Sequence, residues 1–241
     1  MSAPIAHDRI SVTIDGRGVT VQRGRTILDA ARAAGVAVPT LCHLDGLTPV
    51  GACRLCMIEL QPSGRLVPAC AVAAEEGMEV VTETPALRKL RRDVTELFFS
   101  ERNHICAVCV ANGRCELQAM AHTVGVTEVD FDYRHPPCEV DASHAEFILD
   151  HNRCILCTRC VRVCDEIEGA HTWDLMGRGI DARIIADLNR PWGESVSCTS
   201  CGKCVQVCPT GALYQRGEAV GEKSRDRNFL AHLVTLREKR R

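Results

Sequence analysis

The chain has 241 residues, a quarter of them charged, and a formal net charge of −2, which gives no electrostatic case for nucleic-acid binding. No stretch approaches the roughly 18 consecutive apolar residues of a spanning helix, and the opening MSAPIAHDRI lacks the basic segment and apolar run of a secretory signal. The compositional outlier is sixteen cysteines; in a chain expected to be reduced, soluble and cytoplasmic, they point to metal ligation before disulfides. With two Trp, two Tyr and five Phe the core is thin in large fillers, so several small modules steadied by metal–thiolate bonds are expected.

The first module spans residues 1–83. Arg9–Ile14 alternates apolar and polar residues, Asp15–Gly18 reads as a turn, and Val19–Val21 alternates again, a hairpin signal. Thr26 is placed to cap a helix with Asp29 in its first turn; Ile27, Ala30, Ala31 and Ala34 share a face, and Gly35 ends it. Strands are expected at Cys56–Leu60, Leu66–Ala69 and Met78–Val81, giving a β-grasp. Cys42, Cys53, Cys56 and Cys70 hang on its loops in the pattern C-x10-C-x2-C-x13-C. Four thiolates on loops suit a [2Fe–2S] cluster, and small Gly51 and Ala52 would let the backbone approach it. The spacing departs from the plant-type run. Zinc is the rival reading, but its sites usually pair two C-x2-C knuckles and only one occurs here.

The second module, 84–145, opens with Thr84 as N-cap and Pro85 at the first helical position. Leu87, Leu90, Val94, Leu97 and Phe98 follow at helical spacing and read as a core face. The helix leads to His104-x-Cys106-x2-Cys109-x5-Cys115. Three cysteines cannot supply one ligand to each iron of a cubane, and His104 is positioned to be the fourth. Imidazole in place of a thiolate makes such a [4Fe–4S] site one unit less negative. Cys138 fits no set and is expected to be a small buried apolar residue.

In the third module, 146–217, Cys154-x2-Cys157-x2-Cys160-x3-Cys164 and Cys198-x2-Cys201-x2-Cys204-x3-Cys208-Pro209 form the paired runs of a bacterial two-cluster ferredoxin. In such pairs the fourth cysteine of each run serves the other's cluster. One [4Fe–4S] set is then Cys154, Cys157, Cys160 and Cys208, the other Cys164, Cys198, Cys201 and Cys204. Asp165 stands where the first run would carry the proline. Gly177-x-Gly-x-x-Ala182 is formally a dinucleotide signature, but Thr172–Leu175 and Ala182–Ile185 read as two strands about a turn, without the required βαβ context. Residues 218–241 form a tail in which Phe229, Leu230, Leu233 and Val234 suggest an amphipathic helix before the basic end Arg237–Arg241.

The order of these four ligand sets resembles the amino-terminal region of the large iron–sulfur subunit of complex I, shared with iron-only hydrogenases and NAD-dependent formate dehydrogenases. The segment Glu101–Gln118 and the short chain are similar to the small diaphorase subunits of bidirectional, NAD-reducing nickel–iron hydrogenases. The resemblance implies an α+β iron–sulfur protein with one [2Fe–2S] and three [4Fe–4S] clusters and no catalytic residue of its own. It implies a partner holding FMN and NAD(P), and hydrogenase small and large subunits beyond. An NAD-dependent formate dehydrogenase or complex I-like subunit would use the same wire, and a free ferredoxin-type carrier is the reading from another class. The choice between NAD and NADP would lie in a partner.

Overall fold

The computed structural model describes residues 9–231. Within them the chain divides into two compact units, one comprising residues up to 40 and 49–94, the other 41–48 and 95 onward.

The first unit is built on a five-stranded sheet. Strands β1 (Arg9–Ile14) and β2 (Arg17–Gln22) form the expected hairpin, and β3 (Met57–Gln61), β4 (Arg65–Pro68) and β5 (Glu79–Val81) complete the order β2-β1-β5-β3-β4. β1 and β5 run parallel at its centre, in the register Thr13↔Glu79 and Ile14↔Val80; the other pairs are antiparallel. Helix α1 (Ile27–Ala33) starts with a full capping box: the Asp29 amide donates to Thr26 Oγ1 at 3.2 Å, and the Thr26 amide donates to the Asp29 carboxylate at 3.0 Å. Its buried residues Ile27, Leu28, Ala30 and Ala31 join Ile10, Val12, Ile14, Ile58 and Val80 in one core, a sheet gripping a helix in the β-grasp manner.

Helix α2 (Pro85–Glu101) begins as expected, the Leu87 amide donating to Thr84 Oγ1 at 3.1 Å, but its buried face differs from the apolar one expected. Leu87 is buried; Leu90, Val94 and Phe98 are half-buried and Leu97 is 47 % exposed, whereas Arg91, Thr95, Glu96 and Ser100 are buried. The cause lies in backbone acceptors. Arg91 reaches the carbonyl oxygens of Leu55 (3.2 Å), Met57 (3.0 Å) and Thr82 (2.7 Å) and the Glu83 carboxylate (2.8 Å), so one guanidinium serves three main-chain carbonyls.

The second unit has little sheet. Strands β6 (Val140–Asp141), β7 (Phe147–Asp150) and β10 (Leu213–Gln215) make one antiparallel sheet in the order β10-β7-β6, and β8 (Trp173–Met176) and β9 (Arg183–Ala186) a hairpin. Gly177 takes φ 82° in the hairpin's turn, so the G-x-G-x-x-A segment sits between antiparallel strands. Helix α3 (Glu116–Val124) ends at left-handed Gly125, while α4 (Arg159–Val163) and α5 (Lys203–Val207) are single turns, one within each ferredoxin-like run. Trp173, Trp192, Phe147 and His144 form an aromatic cluster with ring centroids 4.7–5.6 Å apart. From residue 228 the chain is helical and Leu230 is buried; Leu233, Val234 and Arg237–Arg241 lie outside the described residues.

Arg91→Leu is expected to destabilise the protein by about 3 kcal/mol, because it strands three carbonyls, two of them in buried bonds, whereas Leu97→Ser should stay within about 0.5 kcal/mol. Equilibrium urea unfolding followed by circular dichroism measures both. A neutral Arg91→Leu would show that these bonds do not hold the helix.

Candidate metal centres

Among the described residues no group of three or more His, Cys, Asp or Glu side chains is drawn together tightly enough to hold a single metal ion. In the second unit, twelve of the predicted ligands instead ring three cavities. One is lined by His104, Cys106, Cys109 and Cys115 together with Phe99, Thr210 and Gly211. A second is lined by Cys154, Cys157, Cys160 and Cys208, and a third by Cys164, Cys198, Cys201 and Cys204. The fourth cysteine of each ferredoxin-like run thus faces the cavity of the other run.

Local backbone explains how three cysteines within seven residues turn inward. In Cys154–Cys160, Leu156 and Thr158 adopt φ of 52° and 56°; at the matching places in Cys198–Cys204, Ser200 and Gly202 adopt 54° and 67°. Left-handed residues on both sides of the middle cysteine coil each run around its cavity, and in the first run the Leu156 amide donates to Cys154 Sγ at 3.5 Å. A β-branched threonine in that region is costly, and such strain concentrates where function requires it. The proline after Cys208 then ends the second run; Cys164 instead leads into a single wide turn, Cys164–Glu168.

The surroundings of the first cavity fit a bulky inorganic group. Among the described residues His104 Nε2 is buried without a hydrogen-bond partner, and it lies beside three thiols. Phe99 meets its ring edge-on at 5.5 Å. Gly211 lines the opposite wall, where an added Cβ would lie 2.4 Å from Cys109 Sγ. Only glycine leaves that sulfur its position.

The electrostatics show what the cysteines lack. Burial, with the neighbouring Cys157, pushes Cys154 up to about 12, and burial takes Cys157 to about 11 against the pull of Arg159. Burial likewise drives Cys160 and Cys204 well upward. Cys208 is the exception: burial works against its thiolate, but the Lys223 ammonium and nearby N–H groups outweigh it and lower its value. A coordinating metal removes a thiol's proton outright, which these desolvated thiols would otherwise keep at neutral pH. The third cavity has a donor aimed at sulfur, since Trp192 Nε1 donates to Cys198 Sγ at 3.3 Å. Asp187, lowered to about 2 by hydrogen bonds from Ser195 and Ser197, anchors the loop before Cys198.

In the first unit Cys53, Cys56 and Cys70 are buried, with Cys56 Sγ and Cys70 Sγ 3.4 Å apart. Gly51 is buried and left-handed beside them, whereas Ala52 is exposed. Cys42 is buried in the 41–48 segment of the second unit, where Arg162 Nη2 donates to the carbonyls of both Cys42 (2.6 Å) and Cys157 (3.1 Å). Cys138 is not the buried apolar residue expected: it is half-buried, and its sulfur lies 2.6 Å from Arg102 Nη1. Sequence reading also missed the cations that brace these loops. Arg159 and Arg162 are buried on α4, and the Lys223-x-Arg225-x-Arg227 alternation was the available signal for three more.

This is the architecture of a multi-centre iron–sulfur protein, and comparison with known proteins gives the same class. Residues 7–85 match a 2Fe-2S iron-sulfur cluster binding domain, 91–130 the NADH-ubiquinone oxidoreductase-G iron-sulfur binding region, and 145–214 the ferredoxin-like domain of NADH-quinone oxidoreductase subunit 3. The chain is 33 % identical over 208 residues to the gamma subunit of the NAD-reducing hydrogenase HoxS of Cupriavidus necator, covering 86 % of this chain and 87 % of that one. A chain in a crystal structure of an NAD+-reducing [NiFe]-hydrogenase in the H2-reduced state superposes with a TM-score of 0.81 at 37 % identity, over 87 % of this chain and 88 % of that one. The mitochondrial NADH dehydrogenase [ubiquinone] iron-sulfur protein 1 of Solanum tuberosum is 32 % identical over 87 % of this chain, which spans 28 % of that relative's length. The chain belongs to the family of the HoxS gamma subunit, with [2Fe–2S]- and [4Fe–4S]-binding domains. Among the described residues no helix is long and apolar enough to cross a membrane.

His104 is held down to about 4, by burial first and by Arg153 and His135 next, so its imidazole is neutral from about pH 5 upward. A histidine depressed in this way adds stability above its unfolded value near 6.5 and loses it as pH falls through about 4. Nuclear magnetic resonance titration of the metal-free chain should give a midpoint near 4 for this ring; a midpoint near 6.5 would show that the pocket is open to water.

Proposed function

We propose that the chain is the electron-relay subunit of the diaphorase part of an NAD(P)-reducing nickel–iron hydrogenase, in the cytoplasm. It would carry one [2Fe–2S] cluster on Cys42, Cys53, Cys56 and Cys70, and three [4Fe–4S] clusters. Those sets are His104, Cys106, Cys109 and Cys115; Cys154, Cys157, Cys160 and Cys208; and Cys164, Cys198, Cys201 and Cys204. The observation that carries this reading is the lining of three cavities by four such side chains each, with the crossed membership of Cys164 and Cys208. Likeness over nearly the full length of the HoxS gamma subunit supports the assignment of the complex.

Bound there, the clusters would accept and pass single electrons. The protein's own part is to fix their positions, exclude water and set their potentials through N–H donors and nearby charge. No acid, base or nucleophile of this chain is required, because hydride chemistry would belong to a flavin-bearing partner. The buried Cys208 set suits an interior relay, and the Cys201 set, with Cys201 exposed, suits exchange with a partner. A complex I-like subunit is the second reading, favoured by the match to the mitochondrial NADH dehydrogenase iron-sulfur protein 1, of which this chain would represent a part.

Mass spectrometry of the chains that co-purify anaerobically with a tagged copy at native level tests the assignment. A flavin subunit with a nickel–iron large subunit is expected; a complex I or molybdenum-type partner would move the same relay elsewhere. The ligand sets require about fourteen irons per chain, two in one cluster and four in each of three. Gly211→Ala is expected to remove about four of them by displacing Cys109, while Cys201→Ser should spare flavin-dependent dye reduction by NADH and abolish hydrogen-linked turnover.

A further inference from the structure

Lys223 is fully buried, at 0 % exposure, an uncommon site for an ammonium without an anionic partner. Its Nζ donates to the carbonyl oxygens of Thr210, at 2.6 Å, and Leu213, and among the described residues it forms no ion pair. The Thr210 carbonyl belongs to the loop that follows Cys208, and Leu213 opens β10 at that loop's end. Thr210 lines both the Cys208 cavity and the His104 cavity, so the ammonium is fixed to the wall they share. The backbone pins it from the other side: the Lys223 amide donates to the Val110 carbonyl at 2.9 Å, and the Gly221 amide to the Cys109 carbonyl at 3.2 Å.

Arg225 continues the arrangement. Its guanidinium donates to the carbonyls of Cys208 (2.7 Å), Pro209 (2.9 Å) and Arg114 (2.6 Å), each at or beside a predicted ligand. The intervening Ser224 is exposed, so the strap alternates inward cation and outward polar residue. The Cys201 site has no equivalent among the described residues. Its nearby cation, Lys203, is ion-paired with Glu168 and cancels as a charge.

We propose that Lys223 is a tuning and positioning residue that raises the potential of the cluster on Cys154, Cys157, Cys160 and Cys208 above that of its sibling on Cys164, Cys198, Cys201 and Cys204. The inference rests on the ligand sets proposed above. Two ferredoxin-type sites with the same four-cysteine chemistry and the same backbone turns differ here in uncancelled positive charge: fully buried Lys223, with Arg225 and Arg162, stands at the first, and an ion-paired Lys203 at the second. Adding one electron adds one negative charge to the centre, and a fixed cation close by favours the reduced form; in a dry site that attraction is poorly screened. The interior cluster would then fill with electrons first and hold them between the other centres.

The test is a redox titration monitored by electron paramagnetic resonance, on the full chain purified anaerobically with its partners, comparing wild type with Lys223→Met and Lys223→Gln. Iron content comes first, because fewer than about fourteen irons in wild type would overturn the ligand reading itself. With iron retained, both variants are expected to lower one [4Fe–4S] midpoint by about tenfold in the reduction equilibrium, or about 59 mV for one electron, leaving the others in place. Glutamine can still donate to a carbonyl, so a shift in the methionine variant alone would assign Lys223 a purely structural role and overturn the proposal, as would unchanged midpoints in both. If either variant loses iron, Arg225→Gln is read instead: a fall in the same midpoint supports cation tuning at this site, and no change overturns it.

Discussion

Loops that wrap a metal centre strand their own carbonyl groups, and the way those groups find donors governs how both units are built. A helix or a sheet closes its hydrogen bonds internally; a cysteine run that coils left and right around a cavity cannot. Guanidinium groups supply several donors in one rigid fork, which makes arginine the efficient remedy. Arg91 serves three carbonyls in the first unit; Arg162 binds those of Cys42, Thr48 and Cys157, and Arg225 those of Cys208, Pro209 and Arg114. The scarcity of aromatic residues finds its counterpart here, since these units are braced by buried cations and by whatever the thiols bind.

The same arrangement sets the local charge. Carbonyl-bound arginines and lysines bring positive charge into a desolvated interior where thiols alone stay protonated, so the cations and the thiolates require each other. Glu116 shows the balance at one point: burial opposes its ionisation, but Arg159 and Arg227 on either side hold it below the usual carboxylate value. It ties α3, which starts beside Cys115, to α4, which carries Cys160. A neutral residue there would leave two guanidinium groups facing each other.

Much of this was legible in the sequence because cysteine spacing is itself geometry. C-x2-C-x2-C fixes a tight coil, and a proline after the last cysteine frees that residue to serve another site. The hairpin from Arg9, the cap at Thr26 and the strands near 57, 66 and 79 were readable from alternation and capping chemistry. The buried face of α2 was not. Apolar periodicity finds a core made of side chains, whereas this face is selected by the carbonyls of Leu55, Met57 and Thr82, whose need for donors appears only once strands are paired. The setting of Cys138 is hidden for the same reason, because nothing near it in sequence announces Arg102, 36 residues away.

The strap at 223–227 extends that lesson to function. In sequence Lys-Ser-Arg-Asp-Arg is an ordinary solvated charge run, and its alternation of period two is compatible with an exposed strand. In the fold every second residue turns inward, onto the loops that carry the predicted ligands, and the segment works as a positively charged clasp. A ferredoxin-type module taken without it would keep all eight cysteines of its two sites and lose the cations that brace the loop after Cys208. On the ligand sets proposed above, two equal centres would share an electron, whereas a cation held against one of them would give it a preferred place to reside.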